Sequence, residues 1–420
     1  MKPDTLHSWL EYIESLHPET IELGLDRIRS VAKRMSLDKI AANTILVGGT
    51  NGKGSVVALL ESIYLAAGYS VGSYTSPHLL RYNERVHING AEVTDQQLCG
   101  AFDQVERARE ETQLTYFEFG TLAAAYLVKS AKPDVAILEV GLGGRLDAVN
   151  LFDPDVAIVT GVDIDHSDWL GEDRESIGYE KAGIFRKEKP AICGDVDTPS
   201  SLVNTAADLG ADLYLQGRDF AFECNSQGCR FRGVRLEWDG LRQPALIGQH
   251  QRLNVGSALM AVDCLLSSLP VNQADAASAI AATGVSARFQ IARISPEVVL
   301  DVAHNPQATT ALARTCGERP VAGSTFAVVG MMRDKAIAEI LGALTSTVDH
   351  WYFGSLPAPR GADAAMLEDA LAGINSKAAC DRFADVTSAY QAALSHAKPG
   401  DRILVFGSFV TVGAIMPALS

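Results

Sequence analysis

The sequence predicts an α/β protein of two domains: an N-terminal phosphate-loop domain on a parallel sheet with a small antiparallel β excursion, then a smaller α/β domain. Three observations predict it. Residues 48–55 read GGTNGKGS, between the apolar run Thr44-Ile45-Leu46-Val47 and an apolar stretch from Ser55 to Ala67 that stops at Gly68. That is strand, glycine turn, helix, the arrangement that offers backbone N–H groups and a positive helix end to phosphate. The runs DVAILEV (134–140) and DVAIVT (155–160) are almost wholly apolar, as strands buried on both faces of a parallel sheet are. From residue 298 onward, strand-like and helix-like segments alternate afresh, which implies a second α/β unit.

Taken in order, residues 1 to 43 read as helical, with Trp9, Leu10, Ile13 and Leu16 on one face. The phosphate-loop unit follows, then a strand near 70–74 and helices over 95–112 and 116–130. After the two apolar strands, residues 212–247 hold short mixed segments (LYLQG, RDFAFEC, CRFRGVRLEW, PALIG) that predict antiparallel β structure. Helices over 254–266 and 274–284 come next. VVLDVAHNP (298–306), TFAVVGMM (325–332), HWYFGS (350–355) and RILVFGSF (402–409) are strand candidates, with helices over 363–372 and 386–396. The expected domains are 1–287, which binds ATP, and 288–420.

The 420 residues are 47% hydrophobic and 21% charged, an ordinary globular composition. No run is apolar and long enough to span a bilayer, and the polar, amphipathic start lacks a secretory signal's apolar region. A cytoplasmic monomer with no membrane partner is expected. The formal net charge of −15 argues against nucleic acid as the main partner. It also obliges a nucleotide site to gather lysine, arginine, backbone N–H groups and metal ions locally. Seven cysteines without a CxxC pair predict neither a zinc site nor a disulfide framework, and Cys224 and Cys229 are expected to be free thiols near a hairpin.

The glycine loop departs from G-x-x-x-x-G-K-[ST]: Val47 stands where glycine is usual, Gly54 where a hydroxyl is, and the hydroxyl comes one place later at Ser55. Lys53 supplies charge for phosphate oxygens. Glu139 lies near the C-terminal end of its strand, where open α/β sheets place ligands; binding Mg²⁺ suits it as well as pairing with an arginine or capping backbone N–H groups. Asp163, Asp165, His166 and Asp168 cluster past the next strand end, and Glu139 on the neighbouring strand favours a metal role for His166. Lys181, in YEKAGIF, reads locally as a solvated lysine on a helix. Arg288 and Asp301 open the second domain.

Together these segments resemble the folylpolyglutamate synthase/dihydrofolate synthase family of the Mur-ligase superfamily. The motifs are GTNGKGS (49–55), TSPHL (75–79), ERVHING (84–90), EVGLGGRLDAVN (139–150), DHSDWLG (165–171), EKAGIFR (180–186), HQRLN (250–254) and DVAHNP (301–306), in family order over nearly the whole chain. The resemblance implies a Mur-ligase-like ATPase domain and a Rossmann-like ligase domain. It implies that Asn51, Gly52, Lys53, Gly54 and Ser55 hold the triphosphate, with Asn254, Arg288 and Asp301 as further ATP contacts. Ser76, Glu139, His166 and Lys181 are implied Mg²⁺ ligands, with two ions and a carbamate on Lys181. Leu23, Gly24, Leu25 and Asp26, Tyr116, Phe117 and Glu118, and Leu146, Asp147 and Ala148 resemble positions that contact dihydropteroate in bifunctional members. One departure is Ala287, where the family usually has glycine.

The implied activity is ATP-dependent addition of L-glutamate to dihydropteroate and to tetrahydrofolates through an acyl phosphate, with Lys53, His166 and Lys181 as catalytic residues. The alternatives are a monofunctional folylpolyglutamate synthase or another Mur-type amino-acid ligase. Cell-wall Mur ligases carry a uridine-nucleotide-binding domain ahead of the loop, and the stretch before Gly48 is expected to be too short for one.

Overall fold

The computed structural model describes residues 3–17, 22–357, 359–374 and 378–419. The chain divides into two compact units, Met1–Ala245 with Gln251–Thr283, and Leu246–His250 with Gly284–Ser420.

The first unit is built on eight strands: β1 (Asn43–Gly48), β2 (Val71–Tyr74), β3 (Val86–Ile88), β4 (Ala91–Glu92), β5 (Val135–Glu139), β6 (Val156–Val159), β7 (Pro190–Cys193) and β8 (Asp212–Leu215). Their order across the sheet is β4-β3-β2-β5-β1-β6-β7-β8. All pairings are parallel except β2–β3 and β3–β4. The apolar runs are the central strands because helices cover both faces; every residue of β5 and β6 is buried. The register sets Val47 beside Glu139 and Gly48 beside Val159, so the glycine loop, Glu139 and Thr160 leave the sheet at one edge.

An aromatic layer fixes the helices on one side. Helix Leu6–Ser15 starts at Thr5, whose hydroxyl accepts the Ser8 N–H. It buries Trp9 against Phe102 and Phe119, with ring centroids 5.9 and 6.5 Å away. Phe119 sits on helix Tyr116–Ala131, whose Thr115–Glu118 capping box starts it. Of the predicted apolar face, Trp9 and Ile13 are buried, and Leu10 and Leu16 pack at its margin.

Two expectations for residues 212–247 are corrected. LYLQG is not antiparallel: β8 adds in parallel to β7 after the helix Ser200–Leu209, a crossover that returns the chain in the same direction. The antiparallel sheet starts later, with β9 (Ala221–Asn225), β10 (Gly228–Arg232) and β11 (Glu237–Leu241) in the order β11-β10-β9. Cys224 and Cys229 are disulfide-bonded, not free. A two-residue turn, Ser226-Gln227, pairs Asn225 with Gly228 and so sets the two cysteines directly opposite, a relation that a search for CxxC spacing passes over.

The second unit holds β12 (Gln290–Ile294), β13 (Glu297–Leu300), β14 (Thr325–Val329), β15 (His350–Gly354), β16 (Ala379–Phe383) and β17 (Arg402–Phe406), in the order β12-β13-β17-β14-β15-β16. Only β12–β13 is antiparallel. The predicted strand over 298–306 ends at Leu300, because Asn305 caps a helix, Pro306–Glu318, by accepting the Ala308 N–H. The polar edge strand β16 lacks the apolar signal that marks its neighbours.

Trp9→Ala should lower unfolding free energy by about 3–5 kcal/mol, the usual loss for a buried aromatic. Urea titration followed by circular dichroism measures it.

Candidate active site

The loop after β1 is pinned by its neighbours. The Thr50 N–H donates to the Gly161 carbonyl at 2.8 Å. The Thr160 hydroxyl donates to the Asn51 carbonyl at 2.6 Å, and the Thr50 hydroxyl donates to the Asp163 carbonyl at 3.0 Å. Gly49 and Gly52 have φ of +135° and +90°. A β-carbon would strike the Thr160 hydroxyl at the first and the Asn254 amide at the second. Asn254 is itself buried and held by Gln251, with Nδ2 donating to Oε1 at 2.9 Å. Helix Lys53–Ala66 starts immediately. Lys53 Nζ folds over the loop, 3.0 Å from the Gly49 carbonyl and 3.1 Å from that of Thr50. The Ser55 hydroxyl is fully buried at the helix N-terminus and has no hydrogen-bond partner among the described residues.

Glu139 is buried at the end of β5. Its Oε2 accepts the Ser76 N–H at 3.2 Å and lies 3.7 Å from the place a β-carbon on Gly54 would take. The ends of β1, β2 and β5 therefore gather Lys53, Ser55, Ser76 and Glu139. His166 is placed differently, exposed on the loop after β6 in a left-handed conformation, φ +54°. Among the described residues no three His, Cys, Asp or Glu side chains form a metal-holding group.

Lys181 overturns its local reading. It is 3% exposed, because helix Arg174–Ala182 packs on the loop after Glu139: a β-carbon at Gly144 would strike the Glu180 and Lys181 carbonyls. The Arg145 N–H donates to the Glu180 carbonyl, and Arg145 Nη2 to Glu180 Oε1, each at 2.8 Å. Burial first, then the charge of Lys53, pushes the Lys181 ammonium down to about 7, against the pull of Asp165 and Asp147. Asp147 is buried too and pushed up to about 6 by desolvation, although the backbone N–H groups of Leu142, Val149 and Gly141 and the charge of Lys53 oppose this. Its oxygens accept Leu142 N–H at 2.8 Å and Val149 N–H at 2.9 Å, closing the 142–149 loop.

The acceptor residues suggested by resemblance lie in two linked groups. Phe117 fills the space beside Gly141 that a β-carbon would need, with its ring 6.2 Å from that of Tyr74. Tyr116 packs edge-on against Tyr82, and the Arg85 guanidinium covers both rings at 5.7 and 4.9 Å. Glu118 Oε2 accepts the Thr115 N–H and hydroxyl and Arg27 Nε at 2.9, 3.0 and 2.8 Å. Arg27 follows the LGLD segment, so one ion pair joins residues 23–26 to 116–118. Glu118 Oε1 is buried and has no partner among the described residues.

In the second unit, Asp301 is half-buried. Its Oδ2 accepts the Phe289 N–H at 2.7 Å and its Oδ1 that of Ala303 at 2.8 Å. Desolvation raises its pKa, and the Arg288 charge opposes this. The Arg288 guanidinium lies 5.4 Å from the Phe409 ring centre. Thr160, Arg27, Arg145 and Phe409 carry no site role in the sequence alone. Thr160 alone carried a signal there, as the last residue of an apolar run in line with the glycine loop.

This arrangement, a glycine loop on a parallel sheet followed by a second α/β unit, defines a Mur-type ligase. The Mur ligase middle domain matches residues 47–262, and the Mur ligase glutamate ligase domain matches residues 287–409. The chain is 46% identical over 414 residues to the dihydrofolate synthase/folylpolyglutamate synthase of Escherichia coli, covering 99% of this chain and 95% of that one. It is 37% identical to the Haemophilus influenzae enzyme of the same name, covering 97% and 96%. It belongs to the dihydrofolate synthase/folylpolyglutamate synthase family. Among solved structures, E. coli FolC in complex with DHPP and ADP superposes with a TM-score of 0.94 at 44% identity, covering 100% of this chain and 98% of that one. A bifunctional enzyme with Mn, AMPPNP and L-glutamate bound gives 0.91 at 44%, with 100% of both chains covered.

Two outcomes follow from this geometry. Gly52→Ala should abolish ATP turnover with little loss of secondary structure, because a left-handed backbone and the Asn254 amide both exclude the methyl; steady-state assay and circular dichroism check it. The Lys181 pKa is depressed in the folded chain, so the unfolded state binds more protons between about pH 7 and the ordinary lysine range. Wild type should therefore gain stability relative to Lys181→Met as pH rises through that window, by at most about 1.4 kcal/mol per pH unit. Urea midpoints of both proteins in CO₂-free buffer read the difference.

Proposed function

We propose that this chain uses ATP to join L-glutamate first to dihydropteroate and then to tetrahydrofolates. The observation that carries the nucleotide part is the buried Ser55 hydroxyl, without a partner among the described residues at a helix N-terminus, beside a loop with no room for a β-carbon at Gly49 or Gly52. Such a group suits a phosphate oxygen or its metal ion. The acceptor and the amino acid rest on relatives whose structures hold DHPP, ADP and L-glutamate at 44% identity over the whole chain.

The chemistry runs in two steps. An acceptor carboxylate oxygen attacks the γ-phosphorus of ATP, the bond to ADP breaks, and an acyl phosphate forms. The α-amine of L-glutamate then attacks the acyl carbon, the C–O bond to phosphate breaks, and the amine proton is lost as the amide forms. Phosphoryl transfer depends on alignment and charge neutralisation. Asn51, Gly52, Lys53, Gly54 and Ser55 align the triphosphate through N–H groups and one ammonium. Asn254, Arg288 and Asp301 complete the nucleotide contacts.

The oxygen donors of Ser76 and Glu139 fit Mg²⁺, a hard ion that takes oxygen ligands. Ser76 and Glu139 would hold one ion, and His166 with a carbamate on Lys181 a second. The ions supply neutralisation of the phosphate charge. A lysine with its pKa near 7 offers a neutral amine to CO₂, and its loss of a proton on carbamylation replaces a buried cation with an oxygen donor. Glu118 Oε1, buried and without a partner among the described residues on the helix that also carries Tyr116 and Phe117, suits the ring N–H donors of a flat pterin. Leu23, Gly24, Leu25 and Asp26 on one side, and Leu146, Asp147 and Ala148 on the other, flank it in this reading.

Dihydropteroate and a tetrahydrofolate, each offered alone with ATP, Mg²⁺ and L-glutamate, should both yield a product one glutamyl residue heavier by mass spectrometry, with ADP released. Product from one acceptor alone would refute bifunctionality. Lys53→Ala should lower kcat/KM at least about a thousandfold for both acceptors, and near-normal turnover would defeat the loop assignment.

A further inference from the structure

Arg288 is flanked by backbone that residues with a β-carbon avoid. Ala287 has a φ of +56° and Phe289 of +43°, both in the left-handed region. Both residues are buried, and both are tied. The Ala287 carbonyl accepts the Val302 N–H at 3.0 Å. The Phe289 N–H donates to Asp301 Oδ2 at 2.7 Å, and the Arg402 guanidinium lies 5.9 Å from the Phe289 ring centre. The Ala287 N–H donates to Gln290 Oε1 at 2.8 Å. Asp301 serves two N–H groups at once, Phe289 and Ala303, whereas the Ala287 N–H is held by one uncharged side chain three residues along.

We propose that Gln290 is a positioning residue for Arg288: by holding the Ala287 N–H it keeps Ala287 in the left-handed form that sets the guanidinium over the Phe409 ring. The inference rests on the reading of Arg288 as an ATP contact. Gln290 does not touch the nucleotide in this account; it acts through the peptide that carries Arg288. Alanine at 287 makes the tie necessary. Without an acceptor for its N–H, Ala287 relaxes toward negative φ, the 287–288 peptide rotates, and the guanidinium leaves its place. Glycine at 287 adopts the left-handed form without that bias, so a chain with glycine there depends less on Gln290.

The test compares Q290A, Q290E and the double variant A287G/Q290A, with R288A as reference, by KM for ATP, KM for L-glutamate and Tm. R288A should raise the ATP KM at least about tenfold. If it does not, the ATP role of Arg288 fails, and the positioning inference falls with it. Given that rise, Q290A should raise the ATP KM about tenfold while the glutamate KM stays within about twofold. Q290E, which keeps the acceptor oxygen, and A287G/Q290A, which removes the need for it, should each recover most of the loss. Should Q290A fold poorly, those two variants carry the same comparison. An ATP KM within about twofold of wild type in Q290A, with R288A impaired, would overturn the proposal. So would a parallel rise in both KM values that neither Q290E nor A287G/Q290A reverses.

Discussion

The fold of the first unit turns on how closely the 49–52 loop approaches its neighbours. Two glycines sit where no β-carbon fits, one against Thr160 and the other against Asn254. Thr160 caps the adjacent strand and Asn254 belongs to a helix far along the chain, so the loop is shaped from two directions. Its backbone hydrogen bonds are made to the segment that follows β6, and the parallel register of β1 with β5 and β6 brings that segment within reach. The anion-binding geometry is thus a property of strand order and register as much as of the glycines.

Electrostatics gives a second layer. The chain carries a formal charge of −15, yet two lysines, Lys53 and Lys181, act on each other near the strand ends. Burial, and then the charge of Lys53, lower the pKa of the Lys181 amine to about 7. Asp147 responds in the opposite sense, with its carboxylate weakened by burial and supported by backbone N–H groups. The site keeps a cation where phosphate charge would gather and limits the cost of a second one.

The architecture was legible because its signals were local. The apolar runs of β1, β5 and β6, the glycine turn between strand and helix, and the renewed alternation after residue 298 all appear in short windows. The less visible parts depend on distant partners. β16 is a polar edge strand, β8 follows a crossover, and the Cys224–Cys229 bond follows from hairpin register. Lys181 is the clearest case at the site: its own helix turn looks solvated, and only the packing of Gly144 beneath Glu180 and Lys181 buries it. Thr160, Arg27 and Arg145 act by holding other residues, and single side chains of that kind leave little trace in composition or periodicity. Ala287 is an intermediate case. It stands where the family usually has glycine, and it adopts the left-handed φ that glycine favours.

Phe117 and Gly141 make a joint whose effect reaches beyond packing. The ring occupies the space a methyl would need on the residue two places after Glu139, so the helix bearing the aromatic pair and the segment leaving β5 form one mechanical piece. If that helix lines the acceptor site as proposed, a lineage drifting toward a bulkier or smaller acceptor could not reshape it alone, because the carboxylate next door would shift as well.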